Sequence, residues 1–213
     1  MMANDWKSKY FYVGDFYEGL AAVNIGGEYV QSEEDEDLGS NVGLLEGGQW
    51  GFVDEDGKEV IPLMYDWVDD FSEGLAVVEF GRKWGFVNKG GEEVVELKYD
   101  GVASFSEGFA PVRVGGKMGF IDETGKEVIP LMYDWVLVFN EGLAGVRLIA
   151  DGQWGFIDVT SKEVIPLKYD WVRDFSYGLA PVRLDGKWGF VDKQGNEYWD
   201  MTEDQAREQM KKR

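Results

Sequence analysis

The chain has 213 residues and a formal charge of −20, from 41 acids against 21 bases, and it contains neither Cys nor His. That charge repels phosphate backbones and anionic lipid, which sets aside nucleic acid and membrane surfaces and leaves a basic protein or a cation as the suitable partner. Without thiol or imidazole there are no disulfides, thiolate zinc sites or thiol nucleophiles, and the commonest metal ligand and general base is missing, so neither a cofactor, a metal site nor an enzyme is expected.

Apolar residues at 44% and aromatics at 15% are too abundant for a disordered chain. The N-terminus lacks a continuous apolar segment of signal-peptide type, and no stretch reaches the roughly 18 apolar residues of a membrane span; the chain reads as cytoplasmic. Residues 1–9 match nothing downstream and read as a loose lead-in. From Tyr10 a pattern begins that runs to about residue 200. Its Gly-Phe pair falls at Gly51-Phe52, Gly85-Phe86, Gly119-Phe120, Gly155-Phe156 and Gly189-Phe190, in steps of 34, 34, 36 and 34 residues. Such a period marks units too small to bury their own apolar face, which must stack on their neighbours as one continuous body.

Five units start at Tyr10, Tyr65, Tyr99, Tyr133 and Tyr169. The first aligns Tyr10 to Ala21 on Tyr65 to Ala76 and is interrupted by an insertion whose acidic run, within about residues 31–41, belongs in a solvated loop. The fourth carries a two-residue insertion between Leu148 and Gly152. Each unit reads as three short strands. The first is Leu-Ala-x-Val, apolar on both faces as in Leu75 to Phe80. The second is Trp-Gly-Phe-Val-Asp, where Trp84 and Phe86 share a face and Gly85 leaves room for a strand or ring to approach.

An Asp or Asn followed three residues later by Gly, as in Asp54 to Gly57, predicts a type I turn closing into a bulge. The third strand, Glu-Val-Ile-Pro, ends its pairing at Pro62, Pro130 and Pro166 or lies on an edge. Tyr-Asp-x-Val-x-x-Phe then crosses to the next unit, with Phe16, Phe71, Phe105, Phe139 and Phe175 as core plugs. Fifteen strands result. Beyond Trp199, residues 201–213 predict a short helix capped by Thr202, with acids in its first turn and bases in its last, placed to close the stack.

The repeated Trp-Gly-Phe-Val-Asp-x-x-Gly-Lys-Glu-Val-Ile-Pro-x-x-Tyr-Asp-x-Val-x-x-Phe-Ser-Glu-Gly-Leu-Ala resembles the bacterial WG repeat, also called the KWG repeat, over residues 10–200. The resemblance implies a β-rich scaffold of variable copy number and transfers no catalytic residues. Two departures stand out. Met118 replaces the family's Trp, and the position after Tyr-Asp, often charged in the family, is here Trp67, Trp135 and Trp171, with Tyr12 and Gly101 in the other units.

That column of Tyr12, Trp67, Trp135 and Trp171 has two readings. It forms an aromatic strip that binds a partner or stacks on sugar rings, or each ring is core beside Tyr65, Tyr133 or Tyr169. Trp50, Trp84, Trp154 and Trp188 read as core, with Met118 as an apolar filler. Asp54 to Glu59 lacks the ligand spacing of a calcium loop. Asp66, Asp100, Asp134 and Asp170 recur after Tyr and read as turn holders rather than as the paired carboxylates of a glycosidase. The expected fold is all-β, an open curved solenoid of five units, with a five-bladed propeller as the alternative. The expected function is a non-catalytic scaffold for a protein partner, with carbohydrate binding second.

Overall fold

The computed structural model describes residues 6–30, 44–148 and 152–212 as two compact units, residues 1–98 and 99–213. The first unit holds two antiparallel sheets, each in sequential strand order. One contains β1 (Tyr12–Tyr17), β2 (Leu20–Val30), β3 (Leu44–Val53) and β4 (Glu59–Tyr65); the other contains β5 (Trp67–Val68), β6 (Leu75–Phe80), β7 (Lys83–Asn88) and β8 (Glu93–Tyr99). The second unit holds three more. They are β9 (Gly101–Val102), β10 (Phe109–Val114), β11 (Lys117–Asp122) and β12 (Glu127–Tyr133); β13 (Trp135–Val136), β14 (Leu143–Leu148), β15 (Gln153–Asp158) and β16 (Glu163–Tyr169); and β17 (Trp171–Val172), β18 (Leu179–Leu184), β19 (Lys187–Asp192) and β20 (Glu197–Trp199).

Each sheet therefore has four strands where the sequence predicts three. The additional strand is the segment read as a crossover: in the last four sheets two residues after Tyr-Asp pair with the following strand, as Trp67↔Glu79 and Val68↔Val78 do. A two-residue strand is too short to show a period of two, so it leaves no pattern in the sequence. One of the two grounds for expecting an open stack, a unit of only three strands, falls with that correction; the other, the family's variable copy number, is untouched. The lead-in is also more ordered than expected. Trp6–Lys9 form one turn of 3-10 helix, and the Trp6 ring lies over Gly57, edge-on to Tyr10 and Phe16. The acidic run at 31–41 and residues 149–151 of the second insertion lie outside the described residues.

The turn chemistry follows the sequence. Gly57 donates its N–H to the Asp54 carbonyl, while Asp54 Oδ1 accepts the amides of Asp56 and Lys58; Asn88, Asp122, Asp158 and Asp192 repeat the arrangement. These side-chain oxygens are occupied as turn clamps. The proline strands β4, β12 and β16 lie at sheet edges and continue past the proline through a bulge, since Phe52 pairs with Ile61 but Trp50 with Tyr65. That bulge swings backbone carbonyls over the glycine of Trp-Gly-Phe. A Cβ on Gly51 would sit 2.5 Å from the Ile61 oxygen, and one on Gly155 equally close to that of Ile165. In the last sheet the Trp199 ring takes that place over Gly189.

The core lies between consecutive sheets within each unit. In the first unit Phe52, Ile61 and Tyr65 meet Val68, Phe71 and Val78. In the second, Phe120, Ile129 and Tyr133 meet Val136, Phe139 and Val146, and Phe156, Ile165 and Tyr169 meet Val172, Phe175 and Val182. The plug phenylalanines contact the Gly-Phe ring of the preceding sheet, with Phe71 on Phe52 and Phe175 on Phe156 at 4.9 Å and Phe139 on Phe120 at 4.8 Å. Phe16 departs from this: β1 runs on through it to Tyr17 behind a bulge, so it stands on an edge strand and is exposed. Helix α1 (Glu203–Met210) carries the predicted cap as a full capping box between Thr202 and Gln205, and Ala206 buries it against Leu179 and Tyr198 of the last sheet.

Glu-Gly of the Ser-Glu-Gly-Leu segment forms the two-residue hairpin turn with both residues at positive φ, as at Glu73 (54°) and Gly74 (81°), and Ser72 and Leu75 exchange backbone hydrogen bonds around it. The sequence reading gave this glutamate no role. Its carboxylate reaches the turn of the next sheet: Glu18 accepts from the Gly74 amide (3.1 Å), Glu107 from Glu141 and Gly142 (2.7 and 2.8 Å), and Glu141 from Gly178 (2.9 Å). Lys89 and Lys193 add ion pairs to Glu18 and Glu141 at 2.9 and 3.0 Å.

The Lys89 ammonium, helped by the Gly74 and Glu73 amides, holds the Glu18 carboxyl below the usual range. Burial pushes Glu141 up, but Lys193 and the Gly178 and Tyr177 amides outweigh it and bring it down. A depressed folded pKa means that the contribution is complete above the unfolded value of about 4.3 and fades as pH falls through the folded value. Glu141→Gln is therefore expected to melt a few degrees below the wild type at pH 7, with the gap closing between roughly pH 5 and pH 3. Thermal melts across that range check it; a gap that stays constant shows that the charge contributes nothing.

Candidate functional site

Strand register places the column residue, a central side chain and the Trp of Trp-Gly-Phe in one row across each sheet. The rows run Tyr12↔Asn24↔Trp50↔Tyr65 and Trp67↔Glu79↔Trp84 in the first unit. In the second they run Gly101↔Arg113↔Met118↔Tyr133, Trp135↔Arg147↔Trp154↔Tyr169 and Trp171↔Arg183↔Trp188. Partners across two strand spacings share a face, since side chains alternate along a strand. The rings at the ends of a row then close over the middle residue: Tyr12 and Trp50 at 5.5 Å, Trp67 and Trp84 at 5.3 Å, Trp171 and Trp188 at 5.4 Å, at interplanar angles of 56–71°.

None of the four column residues is core. Trp135 is 54% exposed, Trp67 and Tyr12 are each 37% exposed, and Trp171 is half-buried. Tyr65, Tyr133 and Tyr169 sit at the far end of the preceding sheet's row and are buried, which explains why the reading of the column as their core neighbours fails: Tyr and Trp two residues apart belong to different sheets. The second aromatic series is mixed. Trp50 and Trp154 are buried and Trp84 is half-buried, but Trp188, expected in the core, is 51% exposed. Trp50 and Trp154 each pair with a tyrosine at the end of a seven-residue strand, whereas β20 has three residues and its pairing starts beyond Trp188.

Acids are spread among these rows. In the first unit burial, then Asp69 and Asp15, push the Asp70 carboxyl up, and burial with Asp66 raises Glu79. The Tyr12 hydroxyl is raised by burial and by Asp70 and Asp15. In the second unit burial raises Asp174, whose Oδ1 is buried and accepts no hydrogen bond among the described residues. Three of the four acids after Tyr are turn holders as predicted. Asp66, Asp100 and Asp170 accept from the Gly81, Gly115 and Gly186 amides at 2.7, 2.8 and 3.1 Å, whereas Asp134, beside the lengthened turn of the fourth unit, takes Lys117 at 2.7 Å. Among the described residues no three His, Cys, Asp or Glu side chains gather as a metal site.

Repetition of one four-stranded antiparallel sheet, with an aromatic row on four of its five copies, defines a β-repeat protein. The family profile for the WG containing repeat matches residues 7–29, 50–84, 84–117, 118–148 and 154–188, more than half of the sequence, and the chain belongs to that family. No curated relative matches it. Among solved structures it is similar to a Kluyveromyces lactis Hsv2 with loop 6CD replaced by a Gly-Ser linker, at 9% identity and a TM-score of 0.50, covering 87% of this chain and 64% of that one. A second, described as a eukaryotic initiation factor, gives 11% identity and a TM-score of 0.54, covering 88% and 54%. The chain thus spans between half and two thirds of either structure, and the likeness is one of fold alone: a repeat-rich β fold resembling propeller-like repeat proteins.

Proposed function

We propose that the chain is a non-catalytic repeat scaffold that binds a protein partner through its aromatic rows. The observation that carries this is the exposure of Trp67 and Trp135 at a position repeated from sheet to sheet, where large rings in the open are the material of interaction surfaces. The net charge of −20 and the acids beside the rows suit a basic partner. Paired rings inclined at 56–71° offer edges and clefts for side chains rather than coplanar platforms for sugar faces, which supports protein over carbohydrate. Four strands per unit match the usual propeller blade, which supports the ring over the open stack.

The test is capture from native lysate by the wild type and by a Trp67→Ala, Trp135→Ala, Trp171→Ala variant. Because these rings are exposed or half-buried, the variant is expected to melt within a few degrees of the wild type and to lose a specific partner. A fall of many degrees in Tm assigns the rings to stability instead. Retention of the wild type on a polysaccharide resin, lost in the variant, assigns the rows to sugar.

A further inference from the structure

Met118 and Gly101, the two positions where an aromatic row is broken, fall in one row. Where the fourth and fifth sheets run Trp-Arg-Trp, the third runs Gly101-Arg113-Met118, so Arg113 lacks the rings that flank Arg147 and Arg183. The space shows as an open groove of about 390 Å³ lined by Gly101, Pro111, Arg113, Met118, Trp135 and Asp174. Arg113 Nη2 donates to the Asp100 carbonyl at 3.3 Å, and the guanidinium lies over Gly101, 3.3 Å from where a Cβ would begin. In the fifth sheet, by contrast, Arg183 stands 5.9 Å from the centre of Trp188 and Arg173 lies 5.2 Å from that of Trp171.

We propose that this groove is a socket for a tryptophan side chain of the partner, which supplies the ring the third sheet lacks. This rests on the scaffold reading and specifies its ligand. Three features select the occupant. Trp135 and Met118 offer an apolar and polarisable wall. The Arg113 guanidinium offers a cation to a ring face, an arrangement that favours indole over the smaller rings. The Asp174 carboxylate, which lines the groove and whose Oδ1 has no hydrogen-bond partner among the described residues, can swing to accept from the indole N–H, a donor that phenylalanine lacks. A lysine head would also satisfy Asp174, but it would enter beside Arg113, in a groove whose two charges cancel.

The test titrates N-acetyl-L-tryptophanamide and N-acetyl-L-phenylalaninamide by ligand-observed NMR. The first is expected to saturate with a Kd on the order of 1 mM or tighter, and the second to bind at least about fivefold more weakly for want of one hydrogen bond. Gly101→Trp restores the sheet's own ring and is expected to keep the wild-type Tm and abolish binding. Asp174→Ala, which covers the case of a Gly101→Trp chain that does not fold, is expected to weaken binding about fivefold. Equal binding of the two amides, no saturation, or undiminished binding by either variant overturns the socket. If Gly101→Trp still captures a partner that the triple alanine variant loses, the socket fails and the scaffold reading stands.

Discussion

Phe139→Ala is expected to lower stability by about 3–5 kcal/mol, the range for truncating a buried phenylalanine, and Tm by roughly 6–20 °C for a chain of this size. Phe139 is fully buried, and its ring meets Phe120 at 4.8 Å and Phe109 at 5.1 Å, so it joins the Gly-Phe strand of one sheet to the hairpin of the same sheet and belongs itself to the next. Ring pairs of this kind contribute about 0.5–1.5 kcal/mol each beyond burial. Both are lost with the side chain, and the cavity has little means of collapsing because Ile129, Val136 and Val146 are already held in their own strands. Phe16→Ala is the control within the same motif. Phe16 is partly exposed and keeps one edge contact, with Trp6, so its removal is expected to cost no more than about 1.5 kcal/mol. Calorimetric melts of the two variants check this; equal losses show that the plug position does not distinguish core from edge.

That contrast shows how far the sequence reaches. The motif Tyr-Asp-x-Val-x-x-Phe recurs in the last four units, where it correctly predicts Phe71, Phe105, Phe139 and Phe175 as core, and the first unit keeps its Tyr, Val and Phe with Phe11 in place of the Asp. What it misses at Phe16 is the course of the backbone: β1 runs on through Phe16 to Tyr17 behind a bulge, so the residue stays on an edge strand of its own sheet. Trp188 fails at the other end for a related reason, since β20 stops short of covering it. A repeat reports what its average copy does, and the first and last copies are where that average ceases to hold.

Composition, period, turns and the glycine that admits a neighbouring strand were legible because each depends on local chemistry. The rows were not. Trp135, Arg147 and Trp154 are separated by 12 and then 7 residues, and only the register of three strands aligns them. The signal that could have found them was the constant 12-residue step from the column position to the central residue of each row, once the two residues after Tyr-Asp were read as a strand. The glutamate contacts from Glu18, Glu107 and Glu141 were hidden likewise, because each spans a full repeat or more.

Gly119→Ala separates steric cost from backbone preference. Gly119 has an ordinary negative-φ strand conformation, so alanine brings no left-handed strain. Its Cβ would nonetheless stand inside contact distance of the Ile129 carbonyl oxygen and 2.7 Å from that of Pro130. Both are backbone atoms and neither can swing away as a side chain does, so β12 must move bodily and with it the Met118↔Tyr133 and Phe120↔Ile129 pairings. Overpacking usually costs about 1–3 kcal/mol, and a clash against fixed backbone belongs at or above the top of that range. The expected fall in Tm is roughly 6–12 °C. At Gly189 the nearest obstacle is the Trp199 ring, which can turn, and the backbone oxygen beside it, that of Tyr198, stands at 2.8 Å, farther than the Ile129 oxygen from Gly119, so the same change costs less there. Gly90 meets only the Asn88 side-chain oxygen at 3.3 Å, in a turn without positive φ at that residue, and alanine there is expected to be neutral or to gain about 0.4–1 kcal/mol through the unfolded chain. Melting the three alanine variants side by side reads the order directly. If Gly119→Ala melts with Gly90→Ala, the close approach of the edge strand is not what requires glycine in the Trp-Gly-Phe motif.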